Sequence, residues 1–184
     1  MAVILASQSP RRKELLQAMG IPFRAVPSDA KEDLSDTKDP VSLVIKNALA
    51  KARFVAKTEK GIILGFDTIG FLDGKVLGKP KDQNDAKAML KSMSGKTHQV
   101  YSGIAIIDTE KDKEITDVEK TDVAFRELSE EEIDHYLKHN NVLDKAASYG
   151  IQDGAGFLIK EIHGCYTNIM GLPVEKVTKM FKKI

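Results

Sequence analysis

Cysteine is nearly missing from this chain: Cys165 stands alone among 184 residues, which excludes an intrachain disulfide framework. A surplus of one charge is missing too. Lys and Arg total 28 against 27 Asp and Glu, a formal net charge of +1, so no global field draws the chain to nucleic acid or an anionic membrane. Affinity for a polyanion has to come from cations placed locally. No apolar run approaches membrane-spanning length, and the N-terminus lacks a basic stretch followed by about 7–15 apolar residues. These absences predict a cytoplasmic protein with neither membrane nor nucleic acid among its partners. A GxxxxGKS/T phosphate loop, a GxGxxG fingerprint and an HExxH zinc motif are absent as well. Of the four histidines, His135 and His139 share helical i,i+4 spacing, but with no third ligand they read as a polar helix face. What is present, 42% hydrophobic and 30% charged, is ordinary for a globular chain long enough for one large domain or two small lobes.

The most informative stretch is Leu5-Ala6-Ser7-Gln8-Ser9-Pro10-Arg11-Arg12. Val3–Leu5 reads as the end of a buried strand. Leu15, Leu16 and Met19 mark one face of a helix over 10–19, with Ser9 as N-cap and Pro10 at the first position. Arg11 and Arg12 then fall in the first turn, where the helix dipole disfavours cations by roughly 0.3–1 kcal/mol each. Cations beside unpaired N–H groups suit an anion, and a strand, a tight serine loop and a helix N-terminus form a phosphate cradle. The bland alternative is a capped surface helix with two solvated arginines.

Further along, Phe23–Val26 reads as extended and 28–39 as a polar loop. Pro40 opens a helix with Val41, Val44, Ile45, Ala48, Leu49 and Ala52 at 3.6 periodicity. Lys51 lies at the edge of that face, so it either snorkels to water or points into a cleft. Apolar residues from Gly61 to Leu72 flank Asp67, and Asp73-Gly74 is a hairpin turn before Lys75–Leu77. Asp82 caps a helix bearing Ala86, Met89, Leu90 and Met93. Thr97–Asp108 and Glu114–Phe125 read as paired strands around a solvated, inert tip, Glu110–Lys113. Ser129 and Glu132 form a capping box. A strand over Phe157–Ile162, a loop over Gly164–Gly171 and a helix starting at Pro173, with Val177, Met180, Phe181 and Ile184 inward, complete the chain. Helices and strands alternate with hairpins interposed. The expected fold is therefore one α/β unit over 1–184, a mixed sheet with flanking helices, possible as two lobes around a cleft.

Asp67, in an otherwise apolar run, is expensive to bury unless it is ion-paired, metal-bound or open to a cleft. It is either a paired structural aspartate or a group that holds a metal or activates water. Lys79, in Gly78-Lys79-Pro80 after the same hairpin, can reach that cleft or sit in solvent. Glu32 and Asp33 matter only as hard-oxygen ligands for Mg²⁺ or Mn²⁺. The run Asp144–Gln152 is a plain loop or a base pocket in which Tyr149 packs and Gln152 offers a donor and an acceptor.

Taken together, the blocks Ala6-Ser7-Gln8-Ser9-Pro10-Arg11-Arg12, Lys51-Ala52, Gly65-Phe66-Asp67-Thr68, Gly78-Lys79-Pro80, Ser94-Gly95-Lys96-Thr97-His98, Asp144-Lys145-Ala146, Tyr149-Gly150-Ile151-Gln152 and Gly171-Leu172-Pro173 resemble the Maf family of nucleoside triphosphate pyrophosphatases, in order and spacing. The resemblance implies a fold related to the inosine triphosphate pyrophosphatases, a cleft for a nucleotide and a divalent cation, and cleavage between the α- and β-phosphates. It makes Asp67 the proton acceptor and puts specificity at Arg11, Thr68 and Gln152, a combination like the dTTP and UTP branch rather than the 7-methyl-GTP branch. It aligns Ser7, Ser9, Arg12, Lys51 and Lys79 with positions around the triphosphate, and Glu32 with an acidic position near the metal beside Asp67. Ala147-Ser148 departs from a usual Gly-Ala, and Gly70 from a usual β-branched residue. Rival expectations are a phosphatase or nucleotidyltransferase on the same residues, or a non-catalytic regulator of septum formation. Oligomeric state is open, a homodimer included.

Overall fold

The computed structural model describes residues 2–33 and 38–184, so positions 34–37 of the expected polar loop lie outside the described residues. The elements run β1 (Val3–Leu5), α1 (Pro10–Ala18), β2 (Phe23–Ala25), α2 (Pro40–Ala56), β3 (Ile62–Leu72), β4 (Lys75–Leu77), α3 (Gln83–Met93), β5 (Thr97–Asp108), β6 (Lys113–Phe125), α4 (Glu130–His139), β7 (Ile159–His163), α5 (Tyr166–Ile169) and α6 (Val174–Phe181). All seven strands join one mixed sheet in the order β2-β1-β3-β5-β6-β7, with β4 on β3.

Strand β3 organises the molecule. β5 lies antiparallel along one edge of it, from Ile62 to Phe71. The other edge is shared: β1 pairs in parallel with Ile62–Leu64, and β4 antiparallel with Gly70–Leu72. Between them the edge of β3 over residues 65–69 is left open, and the chain leaving β1 turns away there into α1. A sheet that forks in this way has a cleft at the fork. The core divides accordingly. One part packs Leu15 and Leu16 of α1 and Val177 and Met180 of α6 on Leu64, Phe66, Ile104 and Ile106. Another packs Leu90, Ile133 and Tyr136 of α3 and α4 on Val100, Val123 and Phe125. Two further buried clusters lie between α2 and the sheet.

Helix α2 covers the opposite face of β3 and β5 at unusually close range. A Cβ added at Gly65 would lie 2.2 Å from the Ala48 carbonyl oxygen, and one at Gly103 would lie 2.2 Å from that of Val44. Only glycine permits this approach. It also turns the helix: the buried face is Leu43, Val44, Asn47, Ala48, Ala52 and Val55, whereas Val41, expected inside, is 37% exposed. The small side chains of Ala48 and Ala52 take the centre of the contact, which brings Asn47 inward in place of Ile45.

Other expectations need correction. Ser9 makes no side-chain cap on α1; Ser7 Oγ instead accepts from the Ser9 N–H at 3.2 Å. Phe157 and Leu158 precede β7 in a tight 3₁₀ turn rather than opening the strand. The presumed loop 164–171 contains α5, and Pro173 is the N-cap of α6 rather than its first residue. The tip between β5 and β6 is not inert: Lys111 Nζ donates to the carbonyl of Ile184 at 2.6 Å, and Lys113 donates to that of Lys183. Two departures from the family pattern turn out to fit each other. A Cβ at Gly70 would lie 2.8 Å from the Ala147 Cβ, so the side chain gained at Ala147 occupies space that a β-branched residue at 70 would need.

Candidate active site

The fork opens into a cleft of about 710 Å³ lined by the serine loop, Glu32, Lys51, Asp67, Lys79 and the segment 144–152. Asp67 lies on β3 opposite Gly103 of β5, within the open edge. Its side chain points to the face covered by α2, and the residue is only 5% exposed. Desolvation of this carboxylate is offset by two α2 side chains one turn apart. Lys51 Nζ lies 2.6 Å from Asp67 Oδ1, and Asn47 Nδ2 donates to Asp67 Oδ2 at 3.2 Å. Lys51 Nζ also lies 2.7 Å from Glu32 Oε1. Its ammonium therefore bridges two carboxylates and is directed into the cleft rather than out to water. Burial pushes the Glu32 carboxyl up, but the Lys51 hydrogen bond and the charges of Lys51, Lys79 and Arg12 outweigh this and hold it below its ordinary value.

Arg12 comes from the first turn of α1 and ties three segments together. Nε donates to the Gly171 carbonyl at 2.9 Å, Nη1 to Ser7 Oγ at 3.2 Å and Nη2 to Thr68 Oγ1 at 3.1 Å. The guanidinium also sits over the Phe66 ring, 5.6 Å from its centroid. Burial lowers its pKa to about 10, with Asp67 opposing and Arg11 adding to the shift, so it stays charged at neutral pH. Three of its five N–H groups are used by the protein, which leaves two for a ligand. Thr68 Oγ1 is engaged further by Ser102 Oγ at 2.8 Å, so Thr68 acts on the cleft through Arg12.

Across the cleft, Arg11 Nη1 pairs with Asp144 Oδ2 at 3.1 Å. Asp144 in turn meets Lys145 Nζ at 2.8 Å, and Lys145 meets Asp153 at 3.2 Å. Gln152 and Lys79 are both exposed on the cleft lining, and the loop carrying Lys79 is tied to the 144–152 segment where the Ala147 N–H donates to the Gly78 carbonyl at 3.0 Å. Tyr149 borders the cleft but packs inward. It is buried, its hydroxyl 2.8 Å from His98 Nε2 and its ring edge-on to Phe125.

The structure thus brings Ser7, Ser9, Arg11, Arg12, Glu32, Lys51, Asp67, Thr68, Lys79 and Gln152 into one cleft. Sequence reasoning missed Asn47 and the Asp144-Lys145-Asp153 chain. Asn47 had one available signal: it stands one helical turn before Lys51, on the same side of α2. His135 and His139 lie exposed on α4 with rings 4.4 Å apart, away from the cleft lining.

A family model described as Maf-like protein matches residues 2–184. A dTTP/UTP pyrophosphatase of Bacillus cytotoxicus is 46% identical over 181 residues, which is 98% of this chain and 94% of that protein. One of Bacillus cereus is 45% identical over 182 residues, again 98% and 94%. Among solved structures, a HAM1 protein from Coxiella burnetii aligns over 100% of both chains with a TM-score of 0.56 at 16% identity, a likeness of fold alone.

Proposed function

The chain belongs to the Maf family, and from that premise we propose that it is a cytoplasmic nucleoside triphosphate pyrophosphatase that hydrolyses dTTP and UTP to the monophosphate and pyrophosphate. The observation that carries this reading is the buried carboxylate of Asp67 held 2.6 Å from the Lys51 ammonium, in a cleft that also gathers Arg11, Arg12 and Lys79. A triphosphate brings about four negative charges near neutral pH, and cations clustered this way repel one another until an anion joins them.

In the proposed reaction the triphosphate lies along the uncapped N-terminus of α1, its oxygens met by Arg12, Lys79, Ser7 and Ser9. Lys51 turns from the carboxylates to a phosphate oxygen and frees Asp67 Oδ1. Asp67 then orients the attacking water and accepts its proton. A divalent cation, Mg²⁺ or Mn²⁺, suits the same place. Asp67 and Glu32 would hold it, since both converge on the point where the Lys51 ammonium sits, at 2.6 and 2.7 Å. Two carboxylate oxygens with phosphate oxygens make the all-oxygen set such ions take. Among the described residues no group of three or more His, Cys, Asp or Glu forms a metal site, so water and substrate oxygens would complete the coordination. When bound, the ion supplies charge neutralisation and a more acidic water. Gln152 offers its amide to the O4/N3 edge of uracil or thymine, with Arg11 bordering the nucleotide.

Products test the reading. Incubation of dTTP with the protein and Mg²⁺ or Mn²⁺, followed by ³¹P NMR, is expected to give dTMP and pyrophosphate. Orthophosphate with dTDP would instead mark a phosphatase.

A further inference from the structure

Asn47 lines the cleft yet is only 2% exposed, and among the described residues its side chain bonds to the backbone of Asp33 and to the carboxylate of Asp67. Its Oδ1 accepts the Asp33 N–H at 2.8 Å, and its Nδ2 donates to the Asp33 carbonyl at 3.1 Å and to Asp67 Oδ2 at 3.2 Å. The pairing with both backbone groups of Asp33 imitates one rung of a β-ladder, and it docks the segment carrying Glu32 onto α2. The amide orientation is fixed by its surroundings. Exchanging its O and N would set an oxygen against the Asp33 carbonyl and the Asp67 carboxylate, and an NH₂ against the Asp33 N–H.

The two oxygens of Asp67 are thereby divided between residues one turn apart on α2: Oδ1 to Lys51, Oδ2 to Asn47. When Lys51 leaves for a phosphate, Asn47 still holds Oδ2, so the carboxylate keeps its orientation and presents Oδ1. We propose that Asn47 is a positioning residue that clamps Asp67 and the Glu32 segment into the single arrangement the reaction uses. This rests on the pyrophosphatase reading. The clamp predicts that losing Asn47 slows the chemical step without weakening substrate binding, because no bond from Asn47 reaches the expected positions of phosphate or base.

The test compares wild type with Asn47→Leu, which keeps the volume but not the hydrogen bonds, Asn47→Asp, which sets a second carboxylate against Asp67, and Asn47→Gln, which keeps the amide on a longer stem. With dTTP, kcat is expected to fall about 10- to 100-fold in the Leu and Asp variants while KM stays within about threefold, and the Gln variant is expected to recover part of the loss. Hydrogen exchange at the Asp33 amide should accelerate at least about tenfold in Asn47→Leu. Wild-type kcat in a folded Asn47→Leu protein overturns the proposal, as does a loss carried by KM or unchanged exchange at Asp33. If wild type itself releases no pyrophosphate from any triphosphate, the pyrophosphatase reading fails and the catalytic role of Asn47 fails with it. The Asp33 exchange still reports in that case whether the clamp exists.

Discussion

In the proposed mechanism Asp67 carries the chemistry, and its buried carboxylate is held by Lys51 on Oδ1 and by Asn47 on Oδ2. Asp67→Asn keeps the volume and the contact with Asn47 but removes the charge that pairs with Lys51. Turnover is expected to drop on the order of 10²-fold or more with the fold intact, measured as kcat beside a circular dichroism spectrum; near-normal kcat would remove Asp67 from the mechanism. Arg12 and Lys79 separate two kinds of cation. Arg12 holds Gly171, Ser7 and Thr68 together, so Arg12→Ala should lower both kcat/KM, by roughly 2–4 kcal/mol, and thermal stability. Arg12→Lys should not restore either, since one ammonium cannot span three acceptors. Exposed Lys79 should affect kcat/KM by a similar amount and leave stability unchanged; equal effects of the two alanine variants on Tm would contradict this division. His98 belongs to stability rather than catalysis. It is fully buried, its Nδ1 has no hydrogen-bond partner among the described residues, and burial lowers its pKa from 6.5 to about 4. The unfolded chain therefore takes up a proton between these values that the folded chain refuses, so stability falls as pH drops from 6.5 toward 4. The total is on the order of 3 kcal/mol, largely absent in a folded His98→Gln variant. Denaturant titrations at pH 8 and 4.5 measure it, and parallel losses in both proteins would contradict the assignment.

Among the elements, α2 decides whether the site exists, because it carries Asn47 and Lys51 and rests on glycine. Gly103→Ala would put a Cβ 2.2 Å from the Val44 carbonyl oxygen, a backbone contact that only a shift of the helix relieves. Destabilisation of about 1–3 kcal/mol is expected, together with a fall in kcat, read from denaturation midpoints and turnover on one preparation. Unchanged values for both would mean that the close contact is dispensable. The helix itself was legible in the sequence from Pro40 and its apolar period, and so was Lys51 at the edge. Its rotation was not, since that depends on two glycines in strands far along the chain and not on its own side chains. The same limit hid Asn47: an amide among apolar residues carries no periodic signal, and its meaning lies in Asp33 and Asp67. Helix α5 escaped notice because a single turn is too short to show a period, whereas the β3-β4 hairpin was plain from Asp73-Gly74, both with positive φ.

At the scale of the whole molecule, a sheet forked at β3 brings the serine loop, α2 and the segment 144–152 around one cleft, although these lie far apart in sequence. Local balance replaces global charge: a chain with a net charge of +1 gathers Arg11, Arg12, Lys51, Lys79 and Lys145 at the fork. Residue types and their order along the chain already mark these positions in the sequence. The ion pairs that hold it in the absence of ligand, Lys51 between Asp67 and Glu32 and Arg11 on Asp144, are products of folding. The most direct test of the account is kcat/KM for pyrophosphate release across dTTP, UTP, CTP, dATP, dGTP and 7-methyl-GTP, measured for wild type and Gln152→Ala. A purine edge would leave the Gln152 amide badly paired, at about 1–3 kcal/mol. In wild type, dTTP and UTP are expected at least about tenfold ahead of dATP and dGTP, with that gap narrowed in Gln152→Ala. Equal kcat/KM for pyrimidines and purines, or a preference for 7-methyl-GTP, would contradict it.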